Sequence, residues 1–166
     1  MLRRKGFREV HELDWWQSRD LNGVNVHCVP AQHFSARTPF DRNRTLWCGW
    51  VVQAAHGNLY FAGDTGYGDF FTKIRDRFSP LRLALLPIGA YEPEWFMGPI
   101  HMTPEQAVQA RAILGASVAV PIHFGTFSLA DDGETDPVER LEKALHGRRD
   151  SAHFWVLKEG EGRVIP

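Results

Sequence analysis

The chain has 166 residues and a formal net charge of −1, with 43% hydrophobic and 23% charged residues. This composition is typical of a globular protein, and the length suits one domain, residues 1–166, with its own core. The near-neutral charge gives no electrostatic basis for binding nucleic acid or an anionic membrane.

The predicted elements alternate between strands and helices, which indicates an α/β or layered α+β fold. In chain order we predict strands at 25–29 and 46–53, a hairpin turn at 56–58, a strand at 59–62, a helix at 69–78, a strand at 83–88, a helix at 104–114, a strand at 117–122, a helix from 136 to 147 and a last strand at 153–157. The almost wholly apolar runs at 83–88 and 117–122 are typical of strands covered on both faces.

Neither a transmembrane run nor a signal peptide is visible in the sequence. The two cysteines, Cys28 and Cys48, stand twenty residues apart without a CxxC pairing. Thiols with this spacing on predicted strands favour a reducing setting, where a buried cysteine acts as a small hydrophobe. We therefore expect a cytoplasmic protein.

Polar residues follow four of the predicted strands. His33 follows the first strand, Asp64 the third, Tyr91 with Glu92 the fourth, and His123 the fifth. In layered α/β folds, active sites gather at the carboxyl ends of the strands. Two imidazoles and one carboxylate at such an edge suit Zn²⁺ or a similar first-row ion, although a single histidine after a strand is more often an ordinary surface or core residue.

Asp64 has two other interpretations. It could cap the helix that follows, although Asp69 stands nearer to the start of that helix. Asp64, Thr65 and Gly66 also form the DTG triplet of aspartic proteases, whose later apolar-apolar-Gly element is mimicked by residues 113–115. That element belongs on strands, whereas here it falls on the predicted helix 104–114, which argues against a protease.

Six segments in one order and spacing resemble the second half of N-acyl-phosphatidylethanolamine phospholipase D-like proteins, which are metallo-β-lactamase-fold hydrolases. The segments are VPAQHFSAR (29–37), LWCGWVV (46–52), YFAGDTGY (60–67), LLPIGAYEPEWFM (85–97), HMTPEQAV (101–108) and PIHFGTFSLA (121–130). The resemblance runs from about residue 11 to the C-terminus. It implies one αβ half of an αββα sandwich, with a mixed sheet and helices on one face.

The resemblance also implies roles for individual residues. His33 and His123 are similar to ligands of two different zinc ions, Asp64 to the carboxylate that bridges them, and His101 to a histidine that faces the phosphodiester. Two metal ions would activate water and stabilise an in-line displacement at phosphorus, with His101 and Asp64 as the catalytic residues. The loop with Tyr91, Glu92, Trp95 and Phe96 would form a substrate-side wall for a small-molecule or lipid phosphodiester.

The chain departs from the family in one respect, because the family's first ligand cluster, HxHxDH, does not occur in it. The remaining residues supply three of seven ligands, so we expect at most one weakly held zinc ion. We therefore expect a truncated hydrolase that is inactive as an isolated chain, or a binding or assembly module that needs a partner. A half-sandwich would expose the apolar inner face of its sheet, so we also expect a homo-oligomer or a complementing N-terminal half.

Overall fold

A six-stranded mixed sheet forms the centre of the fold. The computed structural model describes residues 2–149 and 151–165. The strands, which lie side by side in chain order, are β1 (Ser18–Leu21), β2 (Val24–Val29), β3 (Gly49–Ala54), β4 (Gly57–Phe61), β5 (Leu81–Pro87) and β6 (Val118–Ile122). Neighbours from β1 to β4 pair antiparallel, whereas β4, β5 and β6 pair parallel. The predicted α/β class with a mixed sheet is confirmed.

Helices connect the parallel strands, as a crossover between such strands requires. α1 (Phe70–Phe78) joins β4 to β5, a single turn α2 (Glu94–Met97) and then α3 (Pro104–Leu114) join β5 to β6, and α4 (Asp136–Leu145) follows β6. No helix in the described part of the chain has the length and apolar character that a bilayer crossing requires.

Helix α3 shows why the local signals predicted it well. The Thr103 side chain accepts a hydrogen bond from the amide of Gln106, and the Gln106 side chain accepts one from the amide of Thr103. This capping box satisfies amides that the first helical turn leaves free, and Pro104 stands where no amide is needed. At the other end Gly115 has a φ of 63°, a left-handed conformation that ends the helix at little cost.

The two faces of the sheet differ in what covers them. On the helix face, the side chains of Val51, Tyr60, Ala84, Leu86 and Ala119 are fully buried against α1, α3 and α4. Alternate residues point the other way, because successive side chains of a strand lie on opposite faces. We call that side the open face. Cys28 and Val118 on this side are buried, but most of its apolar side chains are half-buried or exposed: Val26, Trp50, Val52, Leu59, Phe61, Leu83, Leu85 and Val120.

Two strand predictions differ from the structure near the middle of the chain. The strand predicted at 46–53 begins only at Gly49, since the Trp47 indole donates to the Ala31 carbonyl and the Trp47 carbonyl accepts from the Trp15 indole. These side-chain bonds hold the preceding residues out of the ladder. The hairpin turn lies at residues 55–56, because Gly57 already pairs with Ala54.

The last predicted strand, 153–157, is wrong. The chain forms a 3-10 turn at Ser151–His153 and then a single bridge between Phe154 and Ala119. The His153 ring hydrogen-bonds the Ser117 carbonyl, which a continuing strand would need for its own amide. Strand β1 and helix α2 were not predicted; β1 is fully exposed and pairs with β2.

Candidate functional site

Four predicted site residues lie at one edge of the sheet. Because β2, β4 and β6 run in the same direction, their carboxyl ends share that edge. His33 follows β2, Asp64 follows β4 and His123 follows β6, while His101 lies in the loop before α3. The structure therefore delivers all four residues to the same place from distant parts of the sequence.

The side chains of this cluster are in contact or close to it. His123 Nε2 lies 3.4 Å from Asp64 Oδ2. The His101 ring stands between the other two imidazoles, with its centroid 5.2 Å from that of His33 and 5.2 Å from that of His123. His101 is 7% exposed, whereas the Asp64 side chain is 48% exposed. The carboxylate therefore faces the solvent, and the His101 imidazole lies buried beneath the surface.

A hydrogen-bond network joins the three loops that carry these residues, with Thr65 buried and Gln32 exposed to solvent. The Thr65 hydroxyl accepts from the Gln32 amide at 2.8 Å, and the Gly66 amide donates to the Gln32 carbonyl at 2.8 Å. The Gln32 side chain then donates to the Pro99 carbonyl at 2.9 Å. Gln32 and Thr65 thus fix His33, Asp64 and the segment before His101 relative to one another. Sequence reasoning missed both residues, because their partners lie at least 33 positions away in the chain.

Gly89 controls the position of His123. A Cβ atom at Gly89 would fall far inside contact distance of the His123 carbonyl oxygen, so no larger residue fits without moving the backbone. His123 itself has a φ of 62°, which is uncommon for a residue with a side chain. Nothing local in the sequence revealed this contact, because Gly89 and His123 belong to different segments that follow β5 and β6.

The cluster shifts the pKa values of its members. Asp64 has a lowered carboxyl pKa because its hydrogen bond with His123 favours the charged form, and the same bond raises the pKa of His123. Burial lowers the pKa of His101 to about 4, helped by the neighbouring His123 and His33. At neutral pH the structure therefore holds a neutral imidazole, His101, behind a charged carboxylate, Asp64.

The donor chemistry of the cluster fits a first-row metal ion, and its orphaned atoms point the same way. The Nδ1 atoms of His101 and His123 are buried without a hydrogen-bond partner, although buried polar atoms normally have one. However, within residues 2–149 and 151–165 no group of three or more His, Cys, Asp or Glu side chains is arranged to hold a metal ion. The fit is therefore partial, and further ligands would have to come from water or from another segment of polypeptide.

The predicted substrate-side residues lie in the loop after β5 and differ in exposure. Trp95 and Phe96 are 83% and 61% exposed, whereas Tyr91 is 3% exposed, with the Arg140 guanidinium over its ring. Glu92 pairs with Arg140 at 3.3 Å. Their contact with a substrate remains a prediction, and Trp95 and Phe96 are the two that face the solvent.

A cleft that the sequence did not predict opens beside His123. Its volume is about 380 Å³, and its lining includes Ala90, Phe124, Phe127 and Asp132. Most of these residues belong to the segment after β6, in which the sequence analysis named no site residue beyond His123. The cleft gives His123 a neighbouring cavity that could accept part of a ligand.

The rival interpretations of Asp64 fare differently. Asp69, not Asp64, stands at the N-cap position of α1, although its side chain makes no cap hydrogen bond. Residues 113 and 114 lie in α3, not on a strand, which removes the second element of an aspartic protease site.

Comparison with known proteins identifies a family and several relatives of this chain. The beta-lactamase superfamily domain matches residues 1–124. An uncharacterised protein of Mycobacterium tuberculosis is 47% identical over 135 residues, which are 80% of this chain and 36% of that protein. The N-acyl-phosphatidylethanolamine-hydrolyzing phospholipase D 1 of Caenorhabditis elegans is 38% identical over 164 residues, 94% of this chain and 46% of the relative.

A solved structure agrees with the fold. Igni18, described as a novel metallo hydrolase from the archaeon Ignicoccus hospitalis, superposes with a TM-score of 0.69 at 27% identity, covering 96% of this chain and 62% of that chain. The curated relatives named above are longer, since this chain spans 36% and 46% of their lengths. With well over half its residues matched by one family, the chain belongs to the beta-lactamase superfamily and has the α/β fold of its metallo-hydrolase neighbours.

Proposed function

We propose that this chain supplies part of the active site of a metal-dependent hydrolase, most like a phosphodiesterase. The observation that carries the proposal is the meeting of His33, Asp64, His101 and His123 at one sheet edge, with Asp64 and His123 3.4 Å apart. A family relative whose printed name is a phospholipase D supports a phosphodiester, small or lipid, as the substrate class.

His33, Asp64 and His123 would be the protein ligands of the metal, which we propose to be zinc. Imidazole nitrogen and carboxylate oxygen are ligands that zinc accepts readily. A bound ion of this kind lowers the pKa of water and stabilises negative charge on a phosphoryl oxygen. The chain's own contribution is to hold Asp64 at the solvent boundary and His101 behind it, with Trp95 and Phe96 beside the approach.

The test is metal content with a matched pair of aspartate variants. After zinc addition and gel filtration, we expect at most about one ion per chain, because the described residues offer fewer protein donors than a closed zinc site uses. Asp64→Ala should lose that ion, while Asp76→Ala, which removes an exposed aspartate of α1, should retain it. Equal zinc content in the wild type and Asp64→Ala would contradict the ligand assignment.

A second function is favoured by the lack of a three-donor metal group among residues 2–149 and 151–165 and by the open face. We propose as the alternative that the chain is a binding or assembly module, without activity until a second polypeptide covers that face and adds ligands. A second copy or a complementing N-terminal half would each serve. Zinc-dependent hydrolysis of bis(p-nitrophenyl) phosphate by the isolated chain would favour the first function, and its absence together with self-association would favour the second.

Two further proposals concern the chain as a whole. We propose that residues 1–166 act as one domain, since one hydrophobic cluster joins the sheet to α1, α3 and α4. We also propose a cytoplasmic location, supported by two free thiols at Cys28 and Cys48. Burial raises the pKa of Cys28 to about 12, so this thiol should react slowly with disulfide reagents at pH 8.

A further inference from the structure

The loop from β5 to α3, residues 88–103, carries His101 and the exposed pair Trp95 and Phe96. Both ends of the loop are buried, with Ile88 and Met102 in the core cluster, whereas its middle is the single turn α2, a segment without a buried side chain. A segment of this kind has a low free energy of local opening unless something outside it holds it in place.

Arg140, a residue of α4, holds this segment in place. Arg140 Nε donates to both carboxylate oxygens of Glu105 at 2.8 and 2.9 Å. Its two terminal nitrogens reach Glu94 at 2.6 Å and Glu92 at 3.3 Å. The guanidinium carbon also lies 4.8 Å from the centre of the Tyr91 ring. Arg140 thereby ties α4 to the start of α3 and to three residues of the loop.

A second anchor stands beside it. Asp132 accepts a hydrogen bond from the Ala90 amide at 3.0 Å and lies 3.5 Å from the Glu92 amide, and the Asp131 amide donates to the Glu92 carbonyl at 3.2 Å. These contacts hold the beginning of the loop, whereas Arg140 holds its middle. Near the end of the loop, the Gln32 side chain donates to the Pro99 carbonyl at 2.9 Å. Between these two anchors, Arg140 holds the part that carries Trp95 and Phe96.

The charges around Arg140 make its removal unfavourable for the position of the loop. Three carboxylates, of Glu92, Glu94 and Glu105, surround one guanidinium, which leaves a net negative group even when Arg140 is present. Without Arg140 the three acids would repel one another, and α2 would be driven away from α3 and α4. A lysine would restore the charge but not the planar fork that engages several carboxylates at once.

We propose that Arg140 is the positioning residue of the 91–97 segment and sets where Trp95 and Phe96 stand at the edge of the candidate site. The idea that this segment faces a substrate rests on the proposed function, whereas the positioning role does not. Among the described residues, Arg140 contacts Tyr91, Glu92, Glu94 and Glu105 but none of the four cluster residues, so it would act through the loop alone.

Hydrogen–deuterium exchange of the full chain tests the proposal without needing activity. In Arg140→Gln, amides of residues 90–101 should exchange about tenfold faster, because loss of a charge-assisted network lowers the free energy of local opening. Helix α1 should keep its rate, and Arg140→Lys should recover part of the protection. Arg75→Gln, which removes another arginine paired with a carboxylate, should leave residues 90–101 unchanged.

Two results would overturn the positioning role. One is unchanged exchange of residues 90–101 in Arg140→Gln; the other is faster exchange spread equally over α1 and the strands, which would show only a general loss of stability. Failure of the proposed function would be seen separately, as a lack of zinc binding and phosphodiester hydrolysis in the wild type, and would leave these exchange rates as predicted.

Discussion

Leu85 and Leu86 are neighbours on β5, yet they belong to different faces of the sheet. Leu86 is fully buried in the cluster that joins the sheet to α1, α3 and α4, whereas Leu85 lies half-buried on the open face beside Phe61 and Val120. Both faces are built of similar apolar residues. The helix face is completed by this chain alone, and the open face is apolar without an equivalent cover from the described residues.

The matched pair Leu86→Ala and Leu85→Ala should show this difference most strongly. Truncating a fully buried leucine costs about 2–5 kcal/mol of unfolding free energy, because apolar contact is lost and a cavity remains. Leu85 is half-buried, so its truncation should cost only about 1 kcal/mol in the monomer. Urea unfolding monitored by circular dichroism measures both.

Measuring the unfolding free energy of both variants at several protein concentrations makes the comparison more specific. If a second copy covers the open face, the cost of Leu85→Ala should grow as concentration rises, while that of Leu86→Ala should not. Equal costs for the two variants at every concentration would contradict the assignment of the faces.

The second prediction concerns the site edge, where the helix-covered sheet meets the loops. Gly89→Ala should displace His123 and cost about 1–3 kcal/mol, since a methyl group would be forced against backbone. Gly162→Ala is the matched control, because Gly162 has open space around it. Thermal unfolding measures the cost, and the NMR shifts of the His123 ring report the displacement. A stable Gly89→Ala protein with an unmoved His123 would show that the contact is not needed.

Local signals explain which parts of the molecule could be predicted. Thr103, Pro104, Gln106 and Gly115 carry the start and end of α3 within a few residues, and the structure has them as expected. Strand β1 has no apolar pattern, because all four of its residues are exposed. Its local signal is the turn that pairs it with β2: Asn22 and Gly23, with φ values of 54° and 89°, form the two-residue hairpin turn that Asn-Gly favours, and the prediction overlooked this pair.

The candidate site follows the same rule. The convergence of His33, Asp64 and His123 was predictable, because strand ends of the same direction meet at one edge of a sheet. Thr65, Gln32 and Gly89 were not, since their contacts join segments far apart in sequence. Arg140 is a similar case: as one helix residue among charged neighbours it gave no sign of the three carboxylates it meets.

The third prediction tests whether the open face is an association surface. Phe61 lies on this face at the end of β4 and is 41% exposed. Phe61→Glu should weaken self-association at least about tenfold, because a charge would be buried in an apolar contact. Phe127→Glu is the control, because this ring lies on the loop after β6, outside the sheet, and is 78% exposed. Sedimentation equilibrium at micromolar concentrations gives the dimer constants. A wild-type chain that stays monomeric throughout would show that no second copy covers this face.

The smallest expected change in unfolding free energy concerns the outer side of the helix layer, where Glu105 of α3 forms an ion pair with Arg140 of α4. Partial burial of Glu105 raises the pKa of its carboxyl, but the hydrogen bonds from Arg140 outweigh burial and hold this pKa below its ordinary value of 4.5. A carboxyl with a lowered folded-state pKa contributes stability that is present above the unfolded pKa and is lost as pH falls through the folded one.

Glu105→Gln should therefore cost about 0.5–1 kcal/mol at pH 7, a small value because the pair is partly exposed to solvent. The gap in unfolding free energy between wild type and Glu105→Gln should close as the pH falls below 4.5, the ordinary pKa of a glutamate. Glu142→Gln, on the exposed side of α4, should show no such pH-dependent gap. A gap that persists at pH 3 would mean that Glu105 contributes through its shape and contacts and not through its charge. In that case the outer side of the helix layer would be held by packing, as the helix face is.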